Sequence, residues 1–268
     1  MDKKRAVLGT AFIILSFIFW VLPSVSFPFL DSKGSEYFKE SLKTLTITYG
    51  VVRALNAGVS VVKDSEIEVA PGGVGATIAA GEILDPVDDL IERFSSILLF
   101  SLISLGIQKT VMFMGVKLFF KILGAGFLGI GVYFLTGKKI LLDVGLKLVF
   151  FGVVFRFLLP ITAVFSDFTY NSFFKEGVLQ SKENISHVVK LLKTEEISEK
   201  QEESILEKLK GIQKSFQIEK KLEIIKDYSS KLIDSIITLA TAFVFQSVLI
   251  PVFVLWIFVR FTYWIFRL

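Results

Sequence analysis

The chain has no cysteine and one histidine in 268 residues. Without thiols there is no disulfide, no thiolate metal site, no iron–sulfur cluster, no thiol nucleophile and no lipid anchor on cysteine. A lone His187 excludes a two-histidine metal site within one chain and the H-E-x-x-H motif. A Ser-His-Asp triad would have to be built on it. In its polar helical stretch it reads as a surface residue. Charge of one sign is scarce too: 30 Lys+Arg against 26 Asp+Glu leave +4. The basic residues flank apolar runs or alternate with acids. The basic stripe with stacking aromatics that a nucleic-acid binder shows is missing, and no nucleic-acid partner is expected.

What is abundant is apolar. Hydrophobic residues make up 53% of the chain, and mean hydropathy is +0.64. Soluble domains carry roughly 45–50%, scattered among polar positions; here the residues come in long runs. That excludes an ordinary soluble enzyme and makes the lipid bilayer the first partner. The expected fold is an all-α polytopic membrane protein with four or five transmembrane helices, a small α/β extramembrane block and a helical-hairpin or coiled-coil block.

Residues 1–25 read as an N-terminal anchor. Lys3, Lys4 and Arg5 precede the run 6–25, which is long enough for a ~30 Å hydrocarbon core. The rival reading is a signal peptide cleaved before Phe27, after Ser24-Val25-Ser26. Residues 26–94 form a first hydrophilic block. Leu42, Leu45, Tyr49, Val52, Leu55, Val59 and Val62 keep helical spacing on one face. Alternation at 66–69, the Pro71-Gly72-Gly73 turn and a Gly/Ala-rich stretch predict a short β-hairpin. Asp85-Pro86 then reads as N-cap and N1 of the next helix, with Asp88, Asp89 and Glu92 in its first turns.

Residues 95–165 are the central membrane region. Runs 95–115, 118–136 and 140–165 follow one another, the middle one carrying Gly124, Gly126, Gly129 and Gly131. Residues 166–232 are a second hydrophilic block, read as a helical hairpin with a capping box at Ser198-x-x-Gln201 between its arms. Ile205, Leu209, Ile212 and Phe216 keep 4-3-4 spacing and form its expected oligomer or partner face. Residues 233–268 are a last transmembrane helix, kinked or broken at Pro251, with a tail of Trp and Arg suited to an interface.

Five plain crossings put the hairpin in the cytoplasm. Four crossings, with 118–136 re-entrant, put it outside and gather the short-loop lysines inside. In either reading the N-terminus is cytoplasmic, and the compact Lys/Ile/Phe-rich chain suggests a bacterial inner membrane.

Few motifs carry chemistry. Gly124-x-Gly126-x-x-Gly129 matches the dinucleotide string but lies in an apolar run without strand–turn context, and Gly131…Gly137-Lys138-Lys139 lacks P-loop spacing. The glycines mean either close helix packing, with Ala125 and Gly129 a small-xxx-small pair, or a re-entrant segment lining a pore. Lys109, Asp143, Lys147 and Arg156 are ionisable residues inside apolar runs. Asp143 and Lys147 have the i,i+4 spacing of an ion pair, and Arg156 is the deepest. The acids at 85–92 lack calcium-loop spacing, and Asn184-Ile185-Ser186 is a glycosylation string that arises readily by chance. No catalytic, cofactor or metal residues are assigned. The expected function is a non-enzymatic membrane scaffold or accessory subunit that forms a homo-oligomer or docks a membrane-complex partner. The alternative is an ion channel or small-solute transporter.

Overall fold

The computed structural model describes residues 3–63, 66–69, 76–201 and 210–266, with side chains described over 3–63, 85–192 and 223–265. The elements are α1 (Lys3–Val21), α2 (Pro28–Lys63), β1 (Glu66–Val69), β2 (Ala76–Ala79), α3 (Ala80–Thr136), α4 (Lys139–Thr169), a π-helical turn (Tyr170–Phe174), α5 (Lys175–Gln201), α6 (Lys210–Val244), a second π-helical turn (Phe245–Leu249) and α7 (Ile250–Phe266). Among the described residues the protein is helical apart from one ribbon and short links between helices. Among them, five helical stretches are long and apolar enough to cross a membrane.

Two compact units are present. The first comprises Met1–Ser41, Ser104–Phe168 and Val248–Leu268; the second comprises Leu42–Ile103 and Thr169–Ser247. The expected α/β block is therefore not supported. Residues 26–94 do not close on one another, because their helix α2 divides between the two units. β1 and β2 pair antiparallel from Glu66 opposite Ala79 to Val69 opposite Ala76. Two four-residue strands offer no sheet face large enough to hold a separate core. The Pro71-Gly72-Gly73 turn lies outside the described residues.

In the first unit, α1 and the C-terminal part of α3 run antiparallel. Phe12 stacks on Phe127 and Phe134, and Phe19 on Phe120 and Phe127, at 5.4–5.8 Å between centroids. These phenylalanines recur every seven residues on both helices, the repeat that keeps one face toward a partner helix. Beside that ladder the backbones close in. A Cβ on Gly131 would lie 3.0 Å from the Gly9 carbonyl oxygen, and one on Gly9 would lie 3.1 Å from that of Gly131. Helix α3 ends at Gly137. Its φ of +72° is left-handed, and its N–H donates to the Tyr133 carbonyl at 2.7 Å, an αL cap.

Several sequence expectations are corrected here. The runs 95–115 and 118–136 are not separate segments: α3 passes through both as one 57-residue helix. The third run is regular helix rather than irregular backbone. The start of α3 at Ala80 leaves Pro86 inside the helix rather than at its first position. Asp85 and Asp88 are not mere caps, since both hold the Lys63 ammonium, at 3.0 and 2.8 Å, while Asp89 holds Arg93. Ser198 lies inside α5, so no break occurs at the expected capping box.

In the second unit, α2 buries Leu45, Val52, Leu55, Val59 and Val62, most of its predicted stripe, while Leu42 and Tyr49 are half-buried. α5 and α6 pack as antiparallel arms. The Asn184 amide donates to Ser235 Oγ at 3.1 Å, Gly177 faces Thr238, and the His187 and Tyr228 rings meet at 5.7 Å. Asn184 thus serves helix packing, and His187 is exposed. The two π-helical turns meet through Phe174 and Phe245, 5.4 Å apart. The turn before Pro251 matters locally. Proline cannot donate to the carbonyl four residues back, that of Ser247, and its ring crowds that oxygen; a wider turn at 245–249 absorbs the conflict.

The close approach predicts a stability difference. Gly126→Ala and Gly131→Ala each destabilise the detergent-solubilised protein by about 1–3 kcal/mol through overpacking. Gly106→Ala, where nothing lies within 4 Å, is neutral or mildly stabilising. Thermal unfolding of the three variants checks this, and equal melting temperatures would refute the packing account.

Candidate functional site

The most polar point of the first unit's interior is built at the start of α2. Pro28 stands at the first helical position, where its missing N–H costs nothing. Phe27 precedes it, and two bonds tie Phe27 to Asp31: the Asp31 N–H donates to the Phe27 carbonyl at 2.9 Å, and the Phe27 N–H donates to Asp31 Oδ2 at 2.6 Å. This resembles a capping box, with the carboxylate in the first turn of the helix, where the macrodipole favours negative charge.

Onto that carboxylate comes Arg156 of α4. Nη1 donates to Asp31 Oδ1 at 2.8 Å and Nη2 to Oδ2 at 2.5 Å, a bidentate fork. The arginine side chain is 0% exposed and the aspartate 13%. The guanidinium also lies over two rings, 5.2 Å from the Phe27 centroid and 5.4 Å from that of Phe157. Gly115 of α3 lets the backbone come close: a Cβ there would lie 3.0 Å from the Phe155 carbonyl oxygen and 3.5 Å from Arg156 Cα. Pro160, four residues after Arg156, has no N–H to donate to the Arg156 carbonyl.

The chemistry of this arrangement is holding rather than turnover. A planar guanidinium with two matched acceptors and two aromatic walls is fixed in one pose. The Nε of Arg156 has no partner among the described residues. Removing either charge would leave the other buried and unpaired.

The other predicted residues fall elsewhere. Gly124 and Gly131 face α1; a Cβ on Gly124 would collide with the Trp20 ring and lie 3.1 Å from the Ser16 carbonyl oxygen. Gly126 and Gly129 face α4 instead. A Cβ on Gly126 would lie 2.9 Å from the Gly145 carbonyl oxygen, and one on Gly145 would lie 2.7 Å from that of Gly126. The effective small pairs are thus spaced seven and three, not the Ala125–Gly129 four. Both glycine faces meet neighbouring helices.

Lys109 is half-exposed. Asp143 and Lys147 are both exposed, and among the described residues no ion pair joins them, contrary to expectation. Ile205 and Leu209 lie outside the described residues. Ile212 and Phe216 lie on α6, but their side chains are outside them as well. Among the described residues, no three His, Asp or Glu side chains converge on a metal position.

Sequence reasoning singled out Arg156 but missed Asp31, Phe27 and Gly115. Pro28 followed by an acid in the first turn was a readable helix start, and it would have placed Asp31. Compared with protein-family models, with curated proteins and with solved structures, the chain matches none.

The pair predicts non-additive energetics. Asp31→Asn and Arg156→Met each cost about 3–5 kcal/mol, because each strands a buried partner. The double variant Asp31→Leu/Arg156→Met recovers most of the loss. A double-mutant cycle by thermal or denaturant unfolding in detergent measures this, and a double loss equal to the sum of the singles would rule out direct coupling.

Proposed function

We propose that this protein is a non-enzymatic integral membrane scaffold or accessory subunit that presents its helical hairpin to a partner or to further copies of itself. One observation carries the reading. The helical backbone runs unbroken from Lys139 to Gln201 and again from Lys210 to Phe266. Each hairpin arm is therefore a direct extension of a strongly apolar helix, and the arms are pinned to each other at Gly177–Thr238 and Asn184–Ser235. A helical hairpin continuous in backbone with apolar helices suits the docking of a partner at a membrane.

The channel reading has less support. Its glycine-rich segment is closed by α1 and α4, and its deepest charge is neutralised by Asp31. The proposed localisation is a bacterial inner membrane with the N-terminus in the cytoplasm. Because α1 and the end of α3 run antiparallel, Lys138 and Lys139 come to the same side as Lys3, Lys4 and Arg5, in keeping with the positive-inside tendency. The proposal puts the hairpin outside.

Two measurements test this. In the cysteine-free chain, Glu183→Cys in intact cells reacts with a membrane-impermeant maleimide and Lys138→Cys does not; the reverse pattern would overturn the placement. Changing Ile205, Leu209, Ile212 and Phe216 to serine dissolves the complex isolated in mild detergent while leaving the monomer folded. A particle that is monomeric before the change and unaltered by it would end the scaffold reading.

A further inference from the structure

Three of the helical stretches long and apolar enough to cross a membrane start or stop at one end of the first unit, at Lys3, Thr136 and Lys139. Contacts between α1 and α3 set the level of that end. Gly9 meets Gly131 and Leu135, and Phe12 meets Phe127 and Phe134. Carried one turn further, this antiparallel register brings Lys3, Lys4 and Arg5 level with the turn at Gly137, Lys138 and Lys139. All five cations are exposed. Among the described residues, no ion pair joins Lys3, Arg5, Lys138 or Lys139 to an acid. The acids nearest in sequence are Asp2, outside the described residues, and Asp143, one turn into α4 and itself exposed. Even with both counted, positive charge prevails.

Helix direction adds to the field. α1 and α4 both begin at this end, and neither carries an acid in its first turn. A helix N-terminus holds unpaired N–H groups and the positive pole of the macrodipole, where anions are favoured and cations are not. Lys3, Lys4, Arg5 and Lys139 therefore sit against the dipoles of their own helices. Lys138 follows the C-terminus of α3, whose Tyr133 carbonyl already accepts the Gly137 N–H. An anion from outside the chain would relieve this excess.

The surface beside the cations says which anion. Just past Arg5, Val7 and Leu8 are exposed by 69% and 47%, and past Lys139, Ile140 and Val144 are exposed by 68% and 49%. A cluster of positive charge thus stands directly on a collar of apolar side chains. A free phosphate would use only the cations. A molecule with an acidic head and hydrocarbon tails uses both, and a bilayer supplies it where a membrane-crossing helix ends.

We propose that the basic end formed by Lys3, Lys4, Arg5, Lys138 and Lys139 binds the phosphate headgroup of an anionic phospholipid, whose acyl chains lie along Val7, Leu8, Ile140 and Val144. The ammonium and guanidinium groups donate charge-assisted hydrogen bonds to the phosphate oxygens. The site is separate from the hairpin, and it holds whichever side of the membrane this end faces.

The test uses the full chain in mild detergent, with phosphatidylglycerol, phosphatidylcholine or sodium phosphate added at equal concentration. Phosphatidylglycerol is expected to raise the melting temperature by several degrees, and the other two to leave it unchanged. Lys3→Gln/Arg5→Gln and Lys138→Gln/Lys139→Gln each lose part of that rise, and the fourfold variant loses all of it. Lys33→Gln/Lys39→Gln, which alters two exposed lysines of α2, keeps it in full. Native mass spectrometry of protein extracted from its membrane reads the same site without unfolding: the unaltered chain retains anionic lipid and the fourfold variant does not. An equal rise with phosphatidylcholine would overturn the proposal. So would a rise with sodium phosphate alone, which marks a free-anion site. Either readout surviving the fourfold change, or the absence of both, would overturn it as well. The four hairpin serine changes leave lipid binding intact, which separates this outcome from the fate of the scaffold reading.

Discussion

The structure hangs on a cation that has no route to water. The guanidinium of Arg156 is enclosed by Phe27, Phe157 and the close backbone at Gly115, so its charge has to be met from within. Asp31 meets it with both oxygens, and Asp31 is itself fixed by the start of α2. The joint between α1 and α2 is thereby tied to the middle of α4, 125 residues away in the chain. A hydrophobic replacement of matched shape would hold the helices as well or better. What the ion pair adds is selectivity, because alternative placements of α2 against α4 strand both charges.

Around this point packing is governed by size. Phenylalanines at seven-residue intervals fill one flank of the α1–α3 contact, and glycines let the backbones meet on the other. In a setting where lipid is as apolar as leucine, association rests on such close fit rather than on escape from water. Gly124 and Gly131 serve this contact, while Gly126 and Gly129 serve the contact with α4.

Much of this was legible in the chain, and the reasons for the rest are physical. The apolar runs announce membrane helices because composition over twenty residues is a strong signal. The apparent gap at Gly115-Val116-Lys117 is not a break: the glycine is where α4 approaches, and the lysine points outward. Arg156 was conspicuous as a deep charge, but its partner was not, since no local pattern links residues so far apart. Asp143 and Lys147 show the converse. Their spacing permits a pair, yet an exposed pair gains too little to hold two mobile side chains together. The acids at 85 and 88 looked like helix-start residues because their real partner, Lys63, lies across the ribbon.

The facing π-helical turns have a consequence for how such a protein can change. Each turn holds one residue more than the α-helix around it would use, and one residue is about 100° of rotation. Within each turn the helical register of the side chains therefore steps by that angle. Because Phe174 and Phe245 bring the two turns together, the arms behave as meshed gears. An inserted or deleted residue tolerated in one arm would turn that arm's teeth away from the other, so the two phases can drift over evolution only as a pair.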